Sequence, residues 1–502
     1  MDRSWLVLMI LATIITAACS SSSNSDDGDS DGDGINDSID NCPLVSNASQ
    51  SDADGNGVGD LCEACEVISM AADIWPGLDS GNPGTLTRYN GELYFSANNS
   101  NTGRELWRYN ADTGASRLTD FQVSNDFVSP NELTVVDNQL YFRADDGVSG
   151  TELWSFNAVT DELMLFDIRL GPDSSRPKSL HALKNALVFS ADDGVNGLEL
   201  WVLYASSGSP LLVDIYPGGD GSFAGGFIVL GDAIYFRARD GVHGFELWSY
   251  RPSSGPILVA DINPFGNGPS SSLDKIVFDG KIFFEASDGV HFGEPWMYDP
   301  ATGASALADI HPTNTSSPSE FTVMDGKLYF WANNETSKPA LWVYDPVDGL
   351  SIAFVHSTSF ESSSLRRLTA LDSKLYFTKE DLVHGRELWV YDPSDDSAEA
   401  SIAMVADIFP GVKGSRPTNL QVVDNKLFIT VSASGSLNRT WVYDPAEPER
   451  GVRAFADTDT DGIYTQQFIE LDGRWYFAHD DGINGRELWQ YQPSEDPACD
   501  SF

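Results

Sequence analysis

Gly231-Asp232-Ala233-Ile234-Tyr235-Phe236, Asp240-Gly241-Val242-His243-Gly244 and Phe245-Glu246-Leu247-Trp248-Ser249-Tyr250 read in order as strand, turn and strand. Alternation of apolar with polar residues and the β-branched and aromatic content mark the strands. Asp-Gly marks the hairpin turn between them. Two more short strands are predicted at 226–230 and 256–261, which makes four in the unit. The unit recurs, ending in tryptophan at 107, 154, 201, 248, 296, 342, 389, 441 and 489, about 47 residues apart. Four strands at this period are the signature of a propeller blade, whose apolar faces are buried only by its neighbours. No repeat shows a sustained 3.6-residue apolar period with helix caps, which disfavours a helical solenoid. The fold class expected is all-β, a single propeller of about nine four-stranded blades, although nine exceeds the usual four to eight. The sixth and eighth units vary most, so an eight-bladed ring with one unit outside, or an open array, are the alternatives.

The two ends of the repeat fit each other. Val67-Ile68-Ser69-Met70-Ala71-Ala72-Asp73-Ile74 matches the fourth strand of a unit, as in Val259-Ala260-Asp261-Ile262, and the ninth unit stops after its third strand, Glu487-Leu488-Trp489-Gln490-Tyr491. The N-terminal strand is therefore expected to complete the last blade and close the ring, which removes exposed sheet edges. Cys65 precedes that strand and Cys499 follows the last one, where an ordinary unit has a hairpin turn, so a Cys65–Cys499 disulfide is expected. Among Cys42, Cys62, Cys65 and Cys499 three pairings are possible. Cys62-Glu63-Ala64-Cys65 also has redox CxxC spacing, but no βαβ pattern surrounds it.

The chain carries 75 acidic against 30 basic residues in 502, a formal net charge of −45. That balance argues against nucleic acid and anionic membrane surfaces as partners and favours divalent cations. From Ser20 to Glu66 there are twelve acidic residues and no lysine or arginine, a segment that needs a cation to become ordered. Asp29, Asp31, Asp33, the Ile35 carbonyl, Asp37 and Asp40 fall on positions 1, 3, 5, 7, 9 and 12 of a calcium loop, with Gly34 at position 6. Asp52, Asp54, Asn56, the Val58 carbonyl, Asp60 and Glu63 repeat those offsets around Gly57. Hard oxygen donors in a flexible loop suit calcium, which is the cofactor expected. Helices that would make these loops EF-hands are not predicted, since the flanks are Ser/Gly-rich or carry Asp40-Asn41-Cys42-Pro43.

Three resemblances add to this reading. Asp40-Asn41-Cys42-Pro43, Asn47, Gln50 and the stretch to Asp60-Leu61-Cys62 resemble thrombospondin type 3 repeats, which implies aspartates wrapped around calcium and disulfide-bonded cysteines. With Cys65 and Cys499 joined at the ring closure, Cys42 would pair with Cys62. An apolar stretch from Trp5 to Ile15 followed by Thr16-Ala17-Ala18-Cys19 and a serine tract is an export signal. It resembles a bacterial lipoprotein signal, although Thr16 stands where that family usually has Leu, Val or Ile. The resemblance implies lipidation of Cys19 as the mature N-terminus, and Ser20 implies outer-membrane sorting. Segments such as Asp145-Asp146-Gly147-Val148-Ser149-Gly150-Thr151-Glu152-Leu153-Trp154 resemble bacterial ELWxxDGT-repeat proteins, which implies an exported propeller-like binding module. The organisation expected is a signal peptide at 1–18, a Ser/Asp-rich tether at 19–28, a calcium repeat at 29–66 and a propeller at 67–499.

Glu recurs two residues before the tryptophan in seven units, as Glu105, Glu152, Glu199, Glu246, Glu294, Glu387 and Glu487. Identical residues in successive blades are expected to accept backbone hydrogen bonds rather than form a site. Asp120, Asp167, Asp214, Asp261, Asp309 and Asp407 follow the fourth strands, and with Asp193, Asp240, Asp288 and Asp481 at the turns they give an acidic rim. His243, His291 and His384 are expected to serve one turn position in separate blades, too far apart to share a zinc ion. The chain has no Gly-x-Ser-x-Gly, no His-Glu-x-x-His and no P-loop, so it is read as not an enzyme. The function expected is a calcium-binding, membrane-anchored scaffold that recognises a protein or polysaccharide at the cell surface. The alternatives are an assembly scaffold in the periplasm and, behind it, a hydrolase or lyase on the acidic rim.

Overall fold

The computed structural model describes residues 34–36, 39–40, 48, 50, 67–99, 103–121, 129–270, 274–355, 366–395, 402–433, 437–455 and 467–493. The chain divides into Ile68–Gln492 and a second unit made of Met1–Val67 with Pro493–Phe502. The larger unit is a propeller of nine four-stranded antiparallel sheets. Among the described residues there is no α-helix, only a short 3-10 turn at Pro448–Arg450.

Each blade runs from the axis outward in sequence order, as in Gly84–Tyr89, Glu92–Asn99, Gly103–Asn110 and Gly114–Arg117 of the first. The ninth has Ile469–Leu471, Arg474–Asp480 and Arg486–Gln492, and its outer strand is Val67–Ala72. The N-terminal strand thus completes the last blade, as the sequence predicts, and Gln490 Nε2 donates to Ser69 Oγ at 3.0 Å across that seam. The innermost strands touch their neighbours around the axis, and Gly84–Tyr89 of the first blade meets Ile469–Leu471 of the ninth. Nine blades in a closed ring exclude both the eight-bladed alternative and the open array. In the fourth blade the observed strands, Gly225–Leu230, Ala233–Ala238, Glu246–Arg251 and Gly255–Ala260, lie within two residues of the predicted ones.

The repeated tryptophan owes its place to what it faces. Directly across the second and third strands, Phe95 pairs with Trp107, Phe142 with Trp154, Phe189 with Trp201 and Phe236 with Trp248, and Ile429 takes the phenylalanine position opposite Trp441. The indole N–H of Trp107, Trp154, Trp201 and Trp342 donates to the carbonyl of Ala97, Ala144, Ala191 and Ala332, at 3.1 to 3.3 Å. Buried indoles usually find such a partner for their one polar atom, although the indole N–H of Trp248, Trp296, Trp389, Trp441 and Trp489 is buried without one among the described residues. The core lies between blades, one cluster per gap except between the fifth and sixth blades, which hold two. Leu200 and Val202 of the third blade pack with Phe236, Trp248 and Tyr250 of the fourth. Leu86, Leu93 and Phe95 of the first pack with Leu471, Tyr476 and Leu488 of the ninth. Each buried aromatic or aliphatic side chain in these gaps contributes roughly 1.5–3 kcal/mol, and none of it is available to an isolated blade.

One feature was not visible in the sequence. The innermost strand of seven blades carries a bulge whose residue has positive φ: Thr85, Glu132, Ser179, Gly226, Glu320, Arg367 and Asn419, at 49° to 66°. Pairing with the second strand shifts register at each of these places. Only one of the seven is glycine, so the other six hold a conformation that L-residues rarely adopt.

Candidate functional site

Of the predicted calcium ligands, Ile35 and Asp40 are among the described residues. Asp29, Asp31, Asp33, Asp37, Asp52, Asp54, Asn56, Val58, Asp60 and Glu63 lie outside them, as do Cys19, Cys42, Cys62, Cys65 and Cys499. Gly34 has φ +92°. The amides of Ile39 and Asp40 both donate to the Asn36 carbonyl at 2.9 Å. Gln50 Nε2 donates to Asp40 Oδ1 at 2.6 Å, and Asp40 is buried. Gly34 and the buried Asp40 occupy positions 6 and 12 of the first predicted loop. Among the described residues no group of three or more His, Cys, Asp or Glu side chains is arranged to hold a metal ion.

In the propeller, one end carries both the turns between second and third strands and the crossings from one blade to the next. In several blades the start of the third strand is tied to the crossing that follows it, as Arg176 N to the Thr151 carbonyl at 3.1 Å, Phe223 N to Leu198 at 3.0 Å and Arg416 N to Arg386 at 2.9 Å. Gly150, at φ +70°, sits so close to this crossing that a Cβ there would meet the Asp173 backbone at 2.9 Å.

In the seven blades that carry it, the repeated glutamate clamps the crossing. Glu199 is fully buried and accepts from the amides of Ile215, Tyr216 and Ser222 at 3.1, 3.1 and 2.7 Å, and from Ser222 Oγ at 2.6 Å. Glu152 takes Ile168 N and Ser175 N at 3.0 and 2.6 Å, Glu246 takes Ile262 N and Gly268 N at 2.7 and 3.1 Å, and Glu387 takes Ser415 N at 2.6 Å. Burial raises the pKa of all seven glutamates, and the hydrogen bonds they accept oppose it. Glutamates whose oxygens answer the donors of their own blade's crossing are structural, as expected, although Oε1 of Glu105 is buried without a partner among the described residues. The serines that answer them, Ser175, Ser222, Ser316 and Ser415, escaped the sequence reading, although Ser-x-Pro at 175–177, 316–318 and 415–417 was a usable signal.

The turns at this end present both charge and apolar surface. Asp240 Oδ1 accepts from the amides of Val242 and His243 at 2.9 and 2.8 Å, and its other oxygen meets His243 Nδ1 at 2.8 Å. Asp288 with His291 and Asp381 with His384 repeat this, while Asp193 and Asp481 pair with Asn196 and Asn484. Each histidine is therefore held by its own aspartate, which raises the pKa of the imidazole. Partial burial of Asp240, Asp288 and Asp381 works against ionisation, but the hydrogen bonds outweigh it and keep these carboxyls below their usual range. The residue after each Asp-Gly points outward: Val148, Val195, Val242 and Val290 are 74, 73, 84 and 75 % exposed. The turns built on Asp146, Asp193, Asp240, Asp288, Asp381 and Asp481 thus set a carboxylate side chain beside an exposed apolar one.

The thrombospondin type 3 repeat model matches residues 18–50, which contains the first predicted loop and not the second, Asp52 to Glu63. A search of the curated proteins finds no match. Among solved structures, the chain is similar to one described under "Structural and Mechanistic Analysis of Two Prolyl Endopeptidases", at 11 % identity and TM-score 0.38, covering 74 % of this chain and 55 % of that one. It is similar to the tricorn protease at 13 % identity and TM-score 0.26, covering 81 % of this chain and 38 % of that one. It is similar to the β-propeller domain of the Trilobed protease from Pyrococcus furiosus at 11 % identity and TM-score 0.33, covering 77 % and 99 %. The chain therefore spans only about half the length of the first of these, 55 %. The expectation that the chain is not an enzyme is corrected here, because the solved structures it matches are of peptidases. At these TM-scores no peptidase chemistry is assigned to it either.

Proposed function

We propose that this protein is a calcium-dependent binding scaffold, in which the acidic leader takes up calcium and the turn end of the propeller recognises a protein or polysaccharide. The observation that carries the reading is the thrombospondin type 3 match at 18–50 joined in one chain to a nine-bladed propeller. The aspartates at 29–40 would hold the ion as hard oxygen ligands, with Gly34 turning the loop and Asp40 closing it. Bound calcium supplies the positive charge that lets so acidic a segment become compact. The exposed valines over ionised Asp turns give the propeller an amphipathic docking end, and rim loops on a rigid scaffold are where binding residues concentrate. Anchoring through lipidated Cys19, with display at the outer membrane, belongs to the same proposal, and protease accessibility on intact cells separates surface display from a periplasmic assembly role.

Calorimetric titration of calcium into the mature chain, with and without residues 20–66, tests the reading. It requires sites with dissociation constants of about 10⁻⁴ to 10⁻³ M that vanish with the leader. Sites that survive the deletion would move calcium to the propeller, and no binding at all would end the proposal.

A further inference from the structure

A cavity of about 480 Å³ opens between the second and third blades, lined by Arg143, Arg169, Arg176, Lys178, Asp173 and Asp192 among others. Four of the chain's 30 basic residues meet here, against two carboxylates, so the lining is net positive by two in a protein of net charge −45. The two carboxylates are already engaged. Arg169 holds both, Asp173 at 3.2 Å and Asp192 at 3.8 Å. Among the described residues Arg143 makes a long side-chain contact to the Pro177 carbonyl, 3.5 Å, and no ion pair. Arg176 and Lys178 are exposed and form no ion pair or side-chain hydrogen bond among the described residues. Three cations without a carboxylate partner in one concavity repel one another, an arrangement that an incoming anion relieves.

The backbone fixes this grouping. Arg176 has φ 50° and its amide is pinned to Thr151, while the neighbouring Ser175 is buried against Glu152, so its position is set by the clamp. Lys178 begins the inner strand of the third blade, and Arg143 lies on the second strand of the second blade. From these we infer that the cavity binds an oxyanion on a small polar molecule, a carboxylate, sulfate or phosphate, with Arg143 and Arg176 as fork-shaped donors and Lys178 as a point charge. Guanidinium groups match planar and tetrahedral oxyanions through paired N–H donors. The volume lies within the range of small-ligand sites, about 300–1,000 Å³, and accommodates a ligand of monosaccharide size. Its lining residues all belong to the propeller unit.

Arg416 provides an internal control. It occupies the same place before the eighth blade, in Ser415-Arg416-Pro417, with φ 49° and its amide pinned to the Arg386 carbonyl. Calorimetry on the full chain in the presence of a chelator, with galacturonate, inorganic sulfate and inorganic phosphate as separate probes and glucose as neutral reference, reads the site. Saturable binding of at least one anion is expected, and the preferred probe identifies which oxyanion the site takes. The Arg143→Ala/Arg176→Ala variant should weaken it at least about tenfold, the scale of a lost charged hydrogen bond. Lys178→Ala, at an exposed position, should weaken it by a smaller factor, and Arg416→Ala should leave it unchanged. No anion bound at millimolar concentration overturns the assignment. So does binding that survives Lys178→Ala and the double variant alike, or that falls equally with Arg416→Ala.

Discussion

The amide of Gly81 donates to Glu487 Oε1 at 2.6 Å across 406 residues of sequence, inside a fully buried clamp. The other oxygen of Glu487 accepts from Ile74 N at 2.8 Å. The glutamate that pins an ordinary crossing thus fastens the N-terminal segment to the last blade, where no continuous chain joins the two. Removing the carboxylate leaves buried donors unpaired, each costing about 1–3 kcal/mol. Glu487→Ala should therefore lower stability by about 2–5 kcal/mol in urea unfolding and speed hydrogen exchange in 67–72. Glu199→Ala should cost about as much without opening that seam. Equal exchange rates at the seam in the two variants would show that Glu487 has no special part in closure.

The same residue gives the propeller a pH dependence. Burial, reinforced by nearby Asp73, pushes the Glu487 carboxyl up to about 7, although the Gly81 and Ile74 amides favour its ionised form. A folded pKa above the unfolded value means stability that is fully present below about pH 4.5 and is lost as the pH rises through 7. His479, its cross-strand partner, is buried and pushed down to about 4. Its contribution runs the other way, present above about pH 6.5 and lost as the pH falls through 4. Between pH 6.5 and 7.5 Glu487 loses its contribution as the pH rises, and the raised imidazoles of His243, His291 and His384 and the six other clamps share its sign. Calorimetric melting at pH 6.5 should exceed that at pH 7.5. Glu487→Gln should reduce the difference, and His479→Phe should reduce the loss below pH 5.5 while leaving the upper limb unchanged.

The bulges of the inner strands give a third expectation. Ser179 holds φ 56° where Gly226 holds 63° in the next blade. Glycine takes this region at little cost, while other L-residues lose roughly 1 kcal/mol there. Ser179→Gly should be neutral or slightly stabilising, and Gly226→Ala should destabilise by about 1 kcal/mol, both measured by urea midpoint. Two destabilising outcomes would mean that the Ser179 side chain, and not the bulge, sets the cost.

How much of this was legible depended on what repeats. Blade count, strand order and closure followed from the spacing of tryptophan and from the orphan strand at Val67, because each is a period or an offset in one dimension. The role of Glu487 followed as well, since a residue repeated in seven blades must answer a need that every blade has. The bulges were hidden because Thr85, Glu132, Ser179 and Arg367 share no side-chain type that a pattern could pick out. The basic cavity was hidden for a different reason. Arg143, Arg176 and Lys178 are irregular departures from the repeat on two blades, and only the ring brings them together.

Calcium should act on the leader and leave the propeller's melting transition in place. The propeller's core lies in the gaps between its blades, whereas the leader has twelve acidic residues and no basic one between Ser20 and Glu66. Ordering by calcium then compacts residues 20–66 alone, and a ligand stabilises only the unit it binds. Limited proteolysis of the full chain with a protease that cuts after Asp or Glu should cleave the leader in chelator and spare it in about 5 mM calcium, several times the weakest dissociation constant expected. Asp31→Asn/Asp33→Asn should restore cleavage in calcium by removing two ligands of the first loop. The melting temperature of the propeller should stay within about 2 °C across these conditions. A larger rise with calcium, retained in the variant, would place an ion among the Asp turns of the propeller and remove the leader from its central role.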